Sequence, residues 1–172
     1  MTKRPDTVLA IQMLLVALVT VTPAFGQGGH GGHGRMGQGA HAADMQEFHQ
    51  LFQHRTEITR QVLTRGDGVE TVTESKNPEV TRLLQTHVAA MLARVKEGRP
   101  IHQRDPLFVE LFRNADRIDA RHELTAGGVR VVETSKDAYV VKLLQAHAEV
   151  VSAFLANGMW EMMKDHPVPP RQ

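Results

Sequence analysis

Two histidines, His87 and His147, occupy matching places in two segments of this sequence, and imidazoles at a repeated place are candidates for metal ligation, haem ligation or proton transfer. The segment from Val80 to Val95 reads VTRLLQTHVAAMLARV, and that from Val140 to Leu155 reads VVKLLQAHAEVVSAFL. At the α-helical period, Val80, Leu83, Leu84, His87, Met91 and Val95 share one face, as do Val140, Leu143, Leu144, His147, Val151, Phe154 and Leu155. Each histidine is therefore expected at the centre of an apolar, core-facing stripe. Met91 follows His87 by one helical turn, so a thioether and an imidazole would point together, which suits Cu(I) or His/Met haem ligation. Val151 stands at the matching place in the second segment, leaving only the histidines for a symmetric site. The competing account makes both of them core histidines bonded to protein groups.

Other donors cluster at the two ends. Met159, Met162, Met163 and His166 form a dense set of soft ligands in a chain with no cysteine. Methionines at helical spacing also fill core grooves well, and that account competes directly with Cu(I) binding. The stretch 27–43, QGGHGGHGRMGQGAHAA, carries His30, His33 and His41, whose neutral imidazoles can gather Cu(II), Ni(II) or Zn(II). Arg55 interrupts an apolar stripe, where a guanidinium would bind a carboxylate or haem propionate, or else reach solvent on its long stem. An enzymatic reading, a hydrolase or lyase, rests on His122 or His147 alone. The sequence offers no HExxH, phosphate loop or nucleophile elbow to strengthen it.

The elements that must position these residues repeat at an offset of 60. Phe48, Leu51, Phe52, Ile58, Gly68, Val69, Val72, Ser75, Lys76, Val80, Leu83, Leu84, Gln85, His87, Ala93 and Gly98 each recur without a gap between residues 108 and 158. Each unit reads as helix, hairpin, helix. In the first, Met45, Phe48, Leu51, Phe52 and Ile58 make a helical stripe, begun at Asp44 with Glu47 as a capping box. Strands are expected over Ile58 to Leu63 and Val69 to Thr73 around Gly66-Asp67-Gly68, with Val69, Thr71 and Thr73 on one face. Asn77-Pro78 starts the main helix and Gly98 ends it. In the second unit Asp105-Pro106, Gly127-Gly128, Asp137 and Gly158 play the same parts.

A two-stranded hairpin cannot cover two helical stripes, so the units 44–103 and 104–166 are expected to pack together. The expected fold is one α+β domain: two helix-hairpin-helix repeats about a pseudo-twofold axis, with a four-stranded, mostly antiparallel sheet and four helices. A proline-rich end, 167–172, follows.

Residues 1–26 read as a secretory signal: Lys3 and Arg4, an apolar run from Val8 to Val21, and Ala24-Phe25-Gly26 as the cleavage site. Residues 27–43 would then be a disordered, Gly/His-rich tail. Of 20 Lys and Arg and 19 Asp and Glu, loss of Lys3, Arg4 and Asp6 leaves 18 of each. A neutral chain lacks the electrostatic footprint for nucleic acid or an anionic membrane. The expectation is a periplasmic or secreted protein with no stable membrane anchor. It would bind a transition metal, copper favoured, or haem, through His87 and His147, without catalysis. The alternative is a cofactor-free module that binds or assembles with a periplasmic protein.

Overall fold

The computed structural model describes residues 45–171, so the signal and tail expectations, with His30, His33 and His41, lie outside the described residues. A first helix, α1, covers 45–53. It leads through a 3₁₀ turn, Arg55–Glu57, into the hairpin of β1 (Ile58–Arg65) and β2 (Gly68–Ser75), followed by helix α2 (Pro78–Glu97). The chain continues with α3 (Pro106–Arg113), a second 3₁₀ turn (Ala115–Arg117), β3 (Asp119–Leu124), β4 (Gly128–Thr134), α4 (Ala138–Asn157) and the single turn α5 (Met159–Met162).

Helix ends fall where the sequence places its caps. The Asn77 side chain accepts from the Glu79 amide at 3.0 Å, with Pro78 at the first helical position. Asp105 accepts from Leu107 at 3.0 Å and Asp137 from Tyr139 at 2.9 Å. Gly98 closes α2 in the left-handed conformation, φ 61°. Gly158 closes α4 at φ 69°, ψ −147°, and this break is why α5 becomes a fifth helix rather than an extension of the fourth.

The fold is α+β, with one four-stranded sheet ordered β1-β2-β4-β3 and antiparallel at every pair. The central β2–β4 register runs from Gly68↔Thr134 through Thr71↔Val131 to Glu74↔Gly128. Strand alternation sends Val69, Thr71, Thr73, Val129 and Val131 to one buried face, on which α2 and α4 lie. The opposite face carries ion pairs of Arg130 with Glu70 (2.7 Å) and Glu123 (3.1 Å). Val80, Val140, Leu143 and Leu144 are fully buried beneath the helices. One core cluster joins α3 and α4 to Val69, and a second joins Leu51, Ile58, Val80 and Leu84.

Each long helix is tied to the turn of the hairpin that does not precede it. Gln85 on α2 donates Nε2 to the carbonyls of Thr125 (3.3 Å) and Gly128 (3.1 Å). Gln145 on α4 donates Nε2 to Arg65 (3.0 Å) and Gly68 (3.3 Å). The Ser75 amide donates to Gly127 at 2.8 Å, and the Ser135 amide to Asp67 at 2.9 Å. These bonds satisfy turn carbonyls that would otherwise be lost beneath a helix.

The two strand-starting glycines allow this close approach. A Cβ at Gly68 would overlap the Glu133 carbonyl, and one at Gly128 the Thr73 carbonyl, whereas a Cβ at Gly66 meets nothing within 4 Å. Gly68→Ala and Gly128→Ala should each cost about 3 kcal/mol or more by prising β2 from β4, while Gly66→Ala changes stability by less than about 0.5 kcal/mol. Urea unfolding of the three variants checks this; equal stability of Gly68→Ala and wild type would refute the close packing.

Candidate functional site

Between α2, α4 and the buried face of the sheet lies a cavity of about 590 Å³, within the usual size range of small-molecule sites. Its floor is Arg60, Thr71, Val131 and Glu133 from the strands. Its walls are His87, Met91 and Val95 on α2 and His147, Val151 and Phe154 on α4. Met45, Phe48, Phe108, His102, Met159, Met162 and Met163 close the remaining sides. The lining is largely apolar and rich in thioethers and aromatic rings.

Amphipathic periodicity delivers both histidines to this cavity, since each stands at the middle of its helix's buried stripe. Each ring packs edge-on against a phenylalanine at the same centroid distance: His87 against Phe48 and His147 against Phe108, both at 5.2 Å. Neither imidazole makes a hydrogen bond to another described residue, and Nδ1 of each is buried without a partner. Burial lowers the pKa of His87 to about 4. Burial, helped by the positive charge of Arg60 and opposed by Asp105, brings His147 to about 4 as well. Both rings are therefore neutral at physiological pH, the form that ligates metal or accepts a hydrogen bond.

Of the expected donors, His87, His147, Met91, Met159, Met162 and Met163 line one cavity. Met162 also packs on the core, while Met159 and Met163 remain exposed. Arg55 is not among the lining residues; its guanidinium lies against Gly158, with Nε buried and unpaired. His166 is buried with both ring nitrogens engaged, Nδ1 with Asp105 Oδ2 at 2.6 Å and Nε2 with Glu161 Oε1 at 3.2 Å. A metal-ligating histidine needs a free nitrogen, so this arrangement leaves His166 a structural group that pins the C-terminal segment to the start of α3. Among the described residues, no cluster of three or more His, Asp or Glu is placed to hold a metal ion. His122, the other candidate for proton transfer, is exposed on β3, away from the cavity.

Motif and periodicity do not reveal several of the site residues. Arg60 and Glu133 stand on the floor with Arg60 Nη1 donating to Thr73 Oγ1 at 2.8 Å. Burial lowers the Arg60 pKa to about 10 against the pull of Glu133, and burial raises that of Glu133 against the pull of Arg60. His102, at φ 57°, packs on Phe108 with ring centroids 4.8 Å apart and approaches Asp105 at 3.7 Å. Burial is the main cause of its lowered pKa. The 60-residue repeat does not mark the floor either: Arg60 is answered by Ala120 and Glu133 by Thr73, as most positions outside the matched set also differ.

No family model, curated protein or solved structure matches the chain.

The histidines make stability depend on pH in two opposite ways. Between pH 6.5 and about 4, the unfolded chain binds protons at His87 and His147 that the folded domain does not. Stability should fall on acidification through that window by on the order of 3 kcal/mol per histidine. His166 is held above its ordinary pKa: burial opposes this, but hydrogen bonds and charge from Asp105 and Glu161 outweigh it. Its contribution is complete below the unfolded value and is lost as pH rises through the folded one. Urea unfolding from pH 4.5 to 9 should show the acid limb flattened in His87→Leu/His147→Leu, and the alkaline decline removed in His166→Asn. Unchanged limbs in those variants would contradict the assignments.

Proposed function

We propose that this domain is a non-catalytic binding protein that takes a large apolar molecule, haem foremost, into the cavity between α2, α4 and the sheet. His87 and His147 are the groups that hold it. The observation that carries this reading is the pair of buried, neutral imidazoles on the cavity wall with no protein partner. With Nδ1 enclosed, Nε2 is the nitrogen of each ring left to bond a ligand, and no described residue engages it.

Haem suits the lining better than copper does. The walls are mostly apolar, and among the described residues no group of three or more His, Asp or Glu is placed to hold a metal ion. That favours two imidazoles at separate points on one large ligand over a compact copper centre. One neutral imidazole, that of His87 or His147, would suffice to hold a haem iron, which would supply any redox chemistry of the bound protein. The thioethers of Met91 and Met162 then serve as soft, adaptable walls.

The reading extends to the architecture and the compartment. The two 60-residue units are duplicated repeats about an approximate twofold through the Thr71–Val131 pair. The support is the equivalence, at the offset of 60, of the Gln85 and Gln145 bonds, the Ser75 and Ser135 bonds, and the Phe48–His87 and Phe108–His147 contacts. The N-terminal pattern of residues 1–26 supports export to the periplasm or beyond.

Titrating haemin into the protein that starts at Gln27 should give a one-to-one shift of the Soret band. His87→Ala or His147→Ala should weaken binding about tenfold or more, and removal of residues 27–43 should leave it unchanged. Absence of any Soret shift, together with failure of the cavity to take up an apolar fluorescent dye, would overturn the reading in favour of a cofactor-free module with structural histidines.

A further inference from the structure

The cavity floor carries two charged side chains that the imidazole site does not use. Arg60 and Glu133 reach the helix-covered face because their register partners, Thr73 and Val69, are buried there. The Arg60 guanidinium commits Nη1 to Thr73 Oγ1, and its Nε is buried with no partner. No salt bridge joins Arg60 to Glu133 among the described residues, although each alters the other's ionisation. Arg60 also acts electrostatically on His147, so all three groups share one neighbourhood.

The other charges around the cavity are accounted for differently. Asp105 is fully buried but engaged by His166 and the Leu107 amide. Arg104, Lys164 and Asp165 are exposed at the rim, where water screens them. Arg60 is therefore the cation that a ligand meets inside. A guanidinium offers five N–H donors in a plane that matches a carboxylate, and in an apolar cavity this pairing is strong and directional. Burial pushes the Glu133 carboxyl up against the pull of Arg60, which lessens its repulsion of an incoming carboxylate.

We propose that Arg60 binds the carboxylate of the ligand, so that the cavity selects an amphipathic carboxylate: an anionic head on a large apolar body. This rests on the reading of the cavity as a ligand site. A haem propionate and the headgroup of a long-chain fatty acid are two sources of the same chemistry.

The test uses the protein that starts at Gln27 and four probes: haemin, its dimethyl ester, hexadecanoic acid and hexadecanol, each read by displacement of an apolar fluorescent dye. Wild type should prefer the acid to its uncharged counterpart by about tenfold or more in at least one pair, and the discriminating pair names the source. Arg60→Gln should reduce that preference to below about twofold while keeping affinity for the uncharged probe, and Arg60→Lys should restore part of it. Equal affinity of wild type for acid and uncharged probe in both pairs would overturn the proposal without harming the ligand-site reading, as would an intact preference in Arg60→Gln. Binding of none of the four would overturn both. The comparison within wild type needs no variant, so it decides the matter even if Arg60→Gln misfolds.

Discussion

Pairing of β2 with β4 is the constraint on which everything else depends. Each hairpin alone is a two-stranded ribbon with one apolar face, too small to cover the helix that follows it. Joining the ribbons edge to edge produces a four-stranded sheet wide enough for both long helices. Gly68 and Gly128 make the approach possible, because any side chain there would meet the opposing backbone. Gln85 and Gln145 then fix each helix to the far hairpin's turn, so strand pairing and helix docking reinforce one another. Breaking the seam would separate the two walls of the cavity as well as the two halves of the core.

The domain treats its buried polar groups in two contrasting ways. At the C-terminal end one cluster is closely paired: His166 bridges Asp105 and Glu161, and Glu161 also meets Lys164 (2.7 Å) and Asn157 (2.8 Å). The carboxyl of Glu161 is correspondingly held down to about 2, chiefly by hydrogen bonds from Lys164, Asn157 and His166. That cluster locks the chain around α5. Around the cavity the opposite holds, with His87, His147 and Arg60 each leaving a buried nitrogen without a partner.

Much of the fold was legible from local sequence. The stripes around His87 and His147, the caps Asn77, Asp105 and Asp137, and the glycine turns all report interactions within a few residues, and they predicted α2, α3, α4 and both hairpins. The alternation of Val69, Thr71 and Thr73 likewise identified the buried face of β2. The strand order was not legible, because it is decided by contacts some sixty residues apart. Helix α5 was missed because the Met-rich segment reads as ligand donors or core filler, while the backbone break at Gly158 is seen only in the fold. His166 read as a soft-site ligand because its partner Asp105 lies 61 positions away. Arg60 and Glu133 were passed over because a charge in a strand normally faces water, and their inward direction follows only from the register.

His87 and His147, neutral and without a hydrogen-bond partner on the cavity wall, are the groups on which the proposed function stands or falls. Long-range ¹H–¹⁵N NMR of the histidine rings, titrated from pH 7.5 to 4 with and without a bound apolar ligand, observes them without disturbing the fold. Both rings should stay neutral until about pH 4 in the free protein, and their ¹⁵N shifts should move when ligand is added. Rings that titrate near pH 6.5, or ¹⁵N shifts that ignore the ligand, would contradict that reading.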